Sequence, residues 1–146
     1  MEISGWKLAG RMGRGSITDT FLAMNAAGKK VAARQLLPKY AEIEDVRTRF
    51  LSLGQDSTKI KIRKHIAVVS GQHSSSEGAF LLREYVEGAS LRRLIAEERL
   101  ASVDSSRILL DLAEAVRALH RAGLVHGGIH PGNIIVQPDG RAKLTD

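Results

Sequence analysis

The final third of the chain constrains the fold most, because a long amphipathic stretch runs directly into the segment HGGIHPGNIIV, His126 to Val136. Asp104, Ser105 and Ser106 are candidate N-caps ahead of this stretch, and Gly123 is placed as a C-terminal glycine. Apolar residues recur there at helical spacing and form one stripe: Leu109, Leu112, Ala113, Val116 and Leu119. The sequence therefore predicts one long helix followed by a tight loop.

The first half of the chain has the pattern of antiparallel strands with turn residues between them. NAAGKK is a hairpin turn, because Asn and Gly tolerate the positive φ that such turns require. A helix is expected over Glu42–Leu53, with Gly54 ending or loosening it. Its apolar positions are Ile43, Val46, Phe50 and Leu53. The expected strands are Trp6–Met12, Thr18–Met24, Val31–Leu36, Ile66–Gly71 and Ala79–Val86, with HSSSEG as a polar loop before the last.

Later in the chain, EGAS (Glu87 to Ser90) breaks the strand pattern and helices follow. QPDGRAKL is expected to be a turn between two short strands, since Pro, Asp and Gly favour turns. A β-rich front half and a helical back half predict an α+β fold.

Composition places the chain among ordinary globular domains. Its 146 residues suffice for one domain with a core, and 43% hydrophobic with 26% charged residues are typical values. Cysteine is absent from the sequence, which excludes disulfides and thiolate metal sites. The first residues lack the features of a signal peptide, and no apolar run approaches the ~20 residues of a membrane helix. These features predict a cytoplasmic protein without a membrane span.

The formal net charge is +6, which is compatible with nucleic acid, an acidic partner or an anionic membrane surface. The densest basic cluster, Lys59 to His65, alternates apolar and basic residues and is typical of a solvated face. Aromatic residues make up 4% of the chain, too few for a base-stacking platform. A nucleic-acid partner is therefore not expected, although a basic nucleic-acid-binding domain remains an alternative.

Five motifs follow one another between Trp6 and Asp146: GRMGRGSITDTFLA, VAARQL, LLREYVEGASL, LLDLAEAVRALHRAGLVHGGIHPGNIIV and GRAKLTD. Together with the order of the elements, they resemble a protein kinase domain of the bacterial serine/threonine type. It implies an antiparallel N-lobe with one helix over residues 1–86. A hinge and partial C-lobe over 87–146 would complete one continuous domain, truncated before the activation segment.

Several kinase positions depart from the family pattern. The positions that the resemblance assigns to nucleotide and metal contacts are Gly13, Gly15, Thr18, Arg34, Arg83, Gly128, Asn133 and Asp146. In the glycine-rich loop Gly13 and Gly15 match, whereas the third glycine is Thr18, and a β-branched residue hinders close approach of phosphate to the backbone.

The lysine that binds the nucleotide phosphates in the family corresponds to Arg34. Its planar guanidinium is not equivalent to the compact ammonium of a lysine. Alignment of RFLSLG places Leu53 where the partner glutamate is expected, with Glu42 or Glu44 as alternatives. Arg83 occupies the gatekeeper position. Either it fills the back of the adenine pocket or it faces solvent. In the first case, burial of its charge costs free energy unless the charge is paired.

In the catalytic loop the family pattern His-Arg-Asp-x-Lys-x-x-Asn keeps His126 and Asn133. The base is replaced by Gly128 and the cation by His130. His130 could act as a base by its chemistry, but a structural role is the simpler interpretation. Asn133 and Asp146 match the metal-binding positions, and Asp146 is expected to pair with Arg34.

These departures predict a degenerate pseudokinase that is not an enzyme and has no catalytic residue, cofactor or metal. Weak or absent binding of ATP is expected. The predicted function is a regulatory scaffold that binds other proteins, with a homodimer as one outcome and the apolar stripe from Leu109 to Leu119 as the surface. The alternative is a kinase-fold enzyme with atypical nucleotide chemistry.

Overall fold

A computed structural model describes residues 1–100 and 104–145. It divides the chain into two compact units. The first unit comprises Met1–Thr58 and Val69–Tyr85, and the second comprises Lys59–Val68 together with the described residues from Val86 onward. The first unit therefore ends at Tyr85, one residue before the predicted boundary at 86. Lys59–Val68, which the prediction placed in the first lobe, belongs to the second unit. Two lobes within one continuous domain stay a prediction.

The first unit contains one six-stranded antiparallel sheet in the order β1-β2-β3-β4-β6-β5. Its strands are β1 Glu2–Ile3, β2 Trp6–Arg14, β3 Thr18–Met24, β4 Lys30–Leu36, β5 Val69–Ser75 and β6 Gly78–Glu84. Its helices are α1 Pro38–Ala41 and α2 Glu44–Ser57. The predicted α+β class is confirmed.

Side chains alternate between the two faces of this sheet, as the two-residue repeat of a strand requires. One face packs Val31, Ala33, Phe80 and Leu82 against Ile3 of β1. The opposite face packs Leu36, Ala79 and Leu81 against Phe50 of α2. The sheet therefore has a distinct α2 side, on which the cationic site residues of this unit lie.

The predicted strand Thr18–Met24 and the hairpin at Asn25 match the structure. Asn25 Oδ1 accepts from Lys29 N–H at 2.9 Å, and Gly28 has the expected positive φ of 81°. The predicted end of α2 at Gly54 is wrong, because the helix continues to Ser57. A Cβ on Gly54 would lie 3.0 Å from Gln72 Oε1, so this glycine permits close packing of α2 on β5.

Two further expectations for the first unit are wrong. Ile43 and Leu53 are exposed, so the buried face of α2 is narrower than the predicted stripe. HSSSEG is not a loop, since β5 continues through it to Ser75 and pairs with β6. Ile66 lies in the second unit and forms an isolated bridge with Leu144 rather than starting that strand.

The second unit combines helices with a small antiparallel sheet in the order β7-β8-β9. Its elements are β7 Ala89–Ser90, α3 Leu91–Ala96, α4 Ser105–Arg121, the 3₁₀ helix Pro131–Asn133, β8 Ile134–Val136 and β9 Ala142–Leu144. The predicted strand pair is thus confirmed, and β7 extends it. No described helix, in residues 1–100 and 104–145, is long and apolar enough to cross a membrane.

Helix α4 has caps at both ends. Asp104 Oδ1 accepts from Arg107 N–H at 3.1 Å, which selects Asp104 among the three candidate N-caps. At the other end Gly123 N–H donates to His120 O and Leu124 N–H donates to Leu119 O, with a φ of 73° at Gly123. These two bonds form a Schellman motif, which explains the glycine at this position.

The face that α4 buries differs from the predicted stripe. Its buried residues are Ile108, Asp111, Ala115, Ala118 and Leu119. Leu119 is the one stripe residue among them, whereas Leu109 is 67% exposed and Ala113 is also exposed. Leu112 and Val116 are half-buried, and Leu112 packs against the core of the second unit, so the stripe is only partly exposed.

Candidate functional site

The glycine-rich segment of the first unit is a tight turn between β2 and β3. Gly15 N–H donates to Thr18 O at 2.7 Å, and a Cβ on Gly15 would lie 3.1 Å from that oxygen. The Thr18 side chain is buried beside it. A Cβ on Gly13, in contrast, would meet open space. A side chain at position 15 would therefore press on the Thr18 carbonyl, whereas position 13 has room for one.

Arg34 lies on β4 and reaches towards α2. Its guanidinium carbon is 5.9 Å from the centre of the Phe50 ring, a cation–π contact. Leu53, at the position aligned with the family's glutamate, is exposed. Arg34 therefore contacts the ring of Phe50, which lies one helical turn before Leu53 on α2.

Arg83 is buried in β6, with 5% of its surface exposed. Its Nη1 donates to the carbonyl of Glu84 at 3.2 Å. Of the two alternatives for this residue, the solvent-facing one is wrong.

The strand register places Arg34 and Arg83 on the same face of the sheet. Arg83 is opposite Ala32 and Arg34 is opposite Leu81, and directly opposed residues share a face. Ala32 and Arg34 are two residues apart, so they share it too. Since Leu81 packs with Phe50 of α2, both guanidinium groups lie on the α2 side.

In the second unit, hydrogen bonds close the loop from His126 to Asn133 on itself. Gly128 N–H donates to His126 Nδ1 at 3.1 Å, which assigns the ring proton to Nε2, and Nε2 donates to Thr145 O at 2.8 Å. Asn133 Nδ2 donates to Gly128 O at 2.8 Å, and Asn133 O accepts from Thr145 N–H at 2.7 Å. His126 and Asn133 therefore join the loop to the end of β9.

His130 has a structural role as the cap of the 3₁₀ helix. Its Nδ1 accepts from Gly132 N–H at 3.1 Å and lies 3.2 Å from Nη2 of Arg92 on α3. Because Gly132 N–H donates to it, Nδ1 is the hydrogen-bond acceptor of this ring. Arg92 is absent from the predicted site residues, yet it brings a guanidinium to the loop position where the family carries its lysine.

Near the end of α3, a carboxylate is fixed by two further arginines. Glu97 Oε1 accepts from Arg93 Nε at 2.9 Å and Oε2 accepts from Arg99 Nη1 at 3.1 Å. The hydrogen bond from Arg93, followed by that from Arg99, lowers the pKa of Glu97 below its ordinary value. The same Glu97 contact raises the pKa of Arg93. This surface cluster remains ionised near neutral pH.

A buried charge cluster supports the strand pair of the second unit. Asp111 is 1% exposed, and its Oδ2 accepts from Ala142 N–H at 2.9 Å. Its Oδ1 lies 3.3 Å from Arg141 Nη2 and 3.6 Å from Nε2 of the buried His65. That nitrogen is also 3.0 Å from Glu114 Oε2. Asp111 therefore connects α4 to β9, a role that the sequence pattern did not indicate.

Three residues of the α4 stripe line a shallow groove that basic residues border. The residues around it are Leu112, Ala113, Val116, Arg117, His120 and Arg121. Leu109 and Leu110 are exposed towards the N-terminus of the same helix. The second unit thus presents an apolar surface with a cationic border.

A family model described as the protein kinase domain matches residues 6–146. The chain belongs to the protein kinase family. It is 30% identical over 140 residues to the probable serine/threonine-protein kinase PkwA of Thermomonospora curvata, covering 95% of this chain and 19% of that protein. It is 27% identical over 146 residues to the probable serine/threonine-protein kinase PknB of Corynebacterium glutamicum, covering 97% and 23%. The chain spans about a fifth of the length of these curated relatives.

Solved structures show the same fold at lower identity. The apo form of PpkA-294 superposes with a TM-score of 0.84 at 15% identity, covering 100% of this chain and 59% of that one. The PknI kinase domain of Mycobacterium tuberculosis superposes with a TM-score of 0.80 at 20% identity, covering 100% and 60%. The kinase-like fold of the bacterial serine/threonine type is thereby confirmed.

These comparisons correct one expectation. The prediction that the chain is not an enzyme is wrong, because the relatives that it matches are named serine/threonine-protein kinases. Asp146 lies outside the described residues, so its pairing with Arg34 stays a prediction.

Proposed function

We propose that this chain is a regulatory module of the protein kinase family that binds other proteins, and that the exposed face of α4 is its binding surface. The observation that carries the proposal is Leu109, which is 67% exposed and continues into the apolar groove around Leu112 and Val116. Contiguous exposed apolar surface with a polar border is typical of interaction sites.

The loop from His126 to Asn133 also supports this proposal, because its side chains have structural contacts. Both ring nitrogens of His126 and the amide nitrogen of Asn133 are engaged with backbone groups of the unit. Gly128 has no side chain, and a Cβ there would meet only ordinary contacts at 3.8 Å. These hydrogen bonds hold the loop against the end of β9, so the side chains of His126 and Asn133 have a structural role in the loop.

Self-association is the first form of binding to test, because one self-complementary patch closes a C₂ dimer. We expect the weight-average sedimentation coefficient of the chain to rise from low to high micromolar concentration. An apolar fluorescent dye should bind at low concentration and be displaced as the chain associates. A strictly monomeric, cooperatively folded chain that binds no dye would contradict the proposed surface.

A second candidate is a kinase-fold enzyme with altered nucleotide chemistry. It is favoured by Arg92, whose guanidinium lies 3.2 Å from His130 Nδ1 and brings a cation to the loop. A cation at this position suits an anionic ligand such as a phosphate group.

Thermal unfolding with and without Mg-ATP distinguishes the two candidates. For the regulatory module we expect little or no rise in Tm at low-millimolar ATP, because Arg83 and Thr18 are both buried at positions that the family uses for nucleotide. A ligand at 100 times its Kd adds about 2.7 kcal/mol to the free energy of unfolding. A clear rise in Tm that is lost in Arg92→Ala would favour the second candidate.

A further inference from the structure

Ser74, near the end of β5, is contacted by an arginine from α2. The Ser74 hydroxyl is exposed, and it accepts from Arg47 Nη2 at 2.6 Å and from Arg47 Nε at 3.2 Å. Arg47 Nη2 also donates to Ser75 O at 3.0 Å. One edge of the guanidinium, with its two parallel donors, is therefore directed at a single hydroxyl oxygen.

The charge of Arg47 is not matched by these partners. A hydroxyl and a carbonyl are neutral acceptors, and no carboxylate within residues 1–100 and 104–145 lies within ion-pair distance of this guanidinium. The Arg47 residue is also half-buried, which limits compensation by solvent. The pair thus combines an accessible hydroxyl with a fixed, uncompensated cation.

A phosphate group on Ser74 would satisfy this arrangement. Phosphorylation adds about −1.5 to −2 charges and three strong acceptor oxygens at neutral pH. Two parallel N–H donors from one guanidinium edge suit bidentate binding of phosphate oxygens.

The neighbouring serines differ from Ser74 in their contacts. Ser75 Oγ accepts from Glu77 N–H at 3.1 Å and lies 3.1 Å from His73 Nε2, so it stabilises the turn. Ser76 is exposed and serves as a matched comparison on the same turn. Only Ser74, of these three, has its hydroxyl within hydrogen-bond distance of Arg47.

We propose that Ser74 is a phosphorylation site and that Arg47 binds the phosphate, which fastens α2 to the β5–β6 turn. The phosphoryl donor is a nucleoside triphosphate and the catalyst is a serine/threonine kinase acting on this chain. The Ser74 Oγ–P bond forms, and the bond from the γ-phosphorus to the β,γ-bridging oxygen breaks. The nucleoside diphosphate leaves, and the hydroxyl proton passes to the base of that kinase. This inference is independent of the α4 surface.

The test installs phosphoserine during translation in the full chain, at position 74 or at position 76. Phosphoserine in place of Ser74 should raise Tm by about 3–6 °C over the unmodified chain. The rise should vanish in Arg47→Gln and shrink at high salt, because it depends on one ion pair. Phosphoserine in place of Ser76 should produce no rise that depends on Arg47. If phosphoserine in place of Ser74 raised Tm equally in the unmodified background and in Arg47→Gln, or raised it in neither, the proposal would be overturned.

Occupancy is tested on the chain isolated from its own cells. Trypsin cleavage after Lys64 and Arg83 gives one peptide that carries Ser74, and fragmentation locates the phosphate within it. Phosphate on Ser74 supports the proposal. Full coverage of this peptide across growth phases with phosphate on other serines alone, or with no phosphate, overturns it.

Discussion

Replacing Asp111 with alanine should lower the free energy of unfolding by about 3–5 kcal/mol, the range for breaking a buried ion pair from one side. Asp111 is 1% exposed, and its loss would leave Ala142 N–H without an acceptor. It would also leave Arg141 and the buried His65 without their shared carboxylate. The connection between α4 and β9 should therefore weaken most.

Urea unfolding with linear extrapolation measures this effect. The matched control is Glu114→Ala. Glu114 lies on the same helix and contacts the same histidine, but its side chain is 54% exposed. We expect that control to cost about 0–1 kcal/mol, as for other exposed ion pairs. Equal effects of the two variants would show that burial of Asp111 does not govern the cluster.

Replacing Gly88 with alanine should have a comparable effect through the backbone. Gly88 has a φ of 143°, and its Cβ would lie 2.2 Å from Val136 O. Strain in this conformation costs about 1–3 kcal/mol, and displacing β8 adds about 1–3 kcal/mol. We expect a total loss of about 2–6 kcal/mol in the free energy of unfolding.

Gly140→Ala is the control for Gly88→Ala. Gly140 has a φ of 84°, but its Cβ would meet nothing within 4 Å. The cost should be about 1–2 kcal/mol, from conformation alone. If the two alanines destabilised the chain equally, the close approach of Gly88 to Val136 would not be the cause.

The fold was predictable from sequence where local chemistry decides it. Asn25 and Gly28 define a hairpin, and Asp104 and Gly123 define the ends of α4, because each makes its bonds within a few residues. The strand Thr18–Met24 was clear for the same reason, with a turn on each side. These signals need no knowledge of distant residues.

The buried face of α4 could not be predicted in this way. A carboxylate such as Asp111 counts as a solvent-facing residue until its distant partners, Ala142, Arg141 and His65, are known. Ala115 and Ala118 are too small to mark a core face against larger neighbours. The leucines at 109 and 112 therefore dominated the pattern, although the first of them is exposed.

The candidate site was predictable in position but not in its contacts. The motif located Gly128, His130 and Asn133, whereas the contribution of Arg92 comes from α3, far away in sequence. The burial of Arg83 depends on its pairing with β4 and β5, which the residues around it do not indicate. Class membership likewise rested on the whole chain rather than on Gly128 or Arg34 alone.

The central claim is that the exposed face of α4 binds protein, and one comparison tests it most directly. Sedimentation velocity should be measured over a concentration series for the unmodified chain, Leu109→Glu and Val125→Glu. Leu109 is on the proposed surface, and Val125, which is 81% exposed in the same unit, is outside the α4 groove. The account predicts that the unmodified chain and Val125→Glu associate alike, whereas Leu109→Glu stays monomeric and folded. Association that is equal in all three chains, or absent from the unmodified chain, would contradict it.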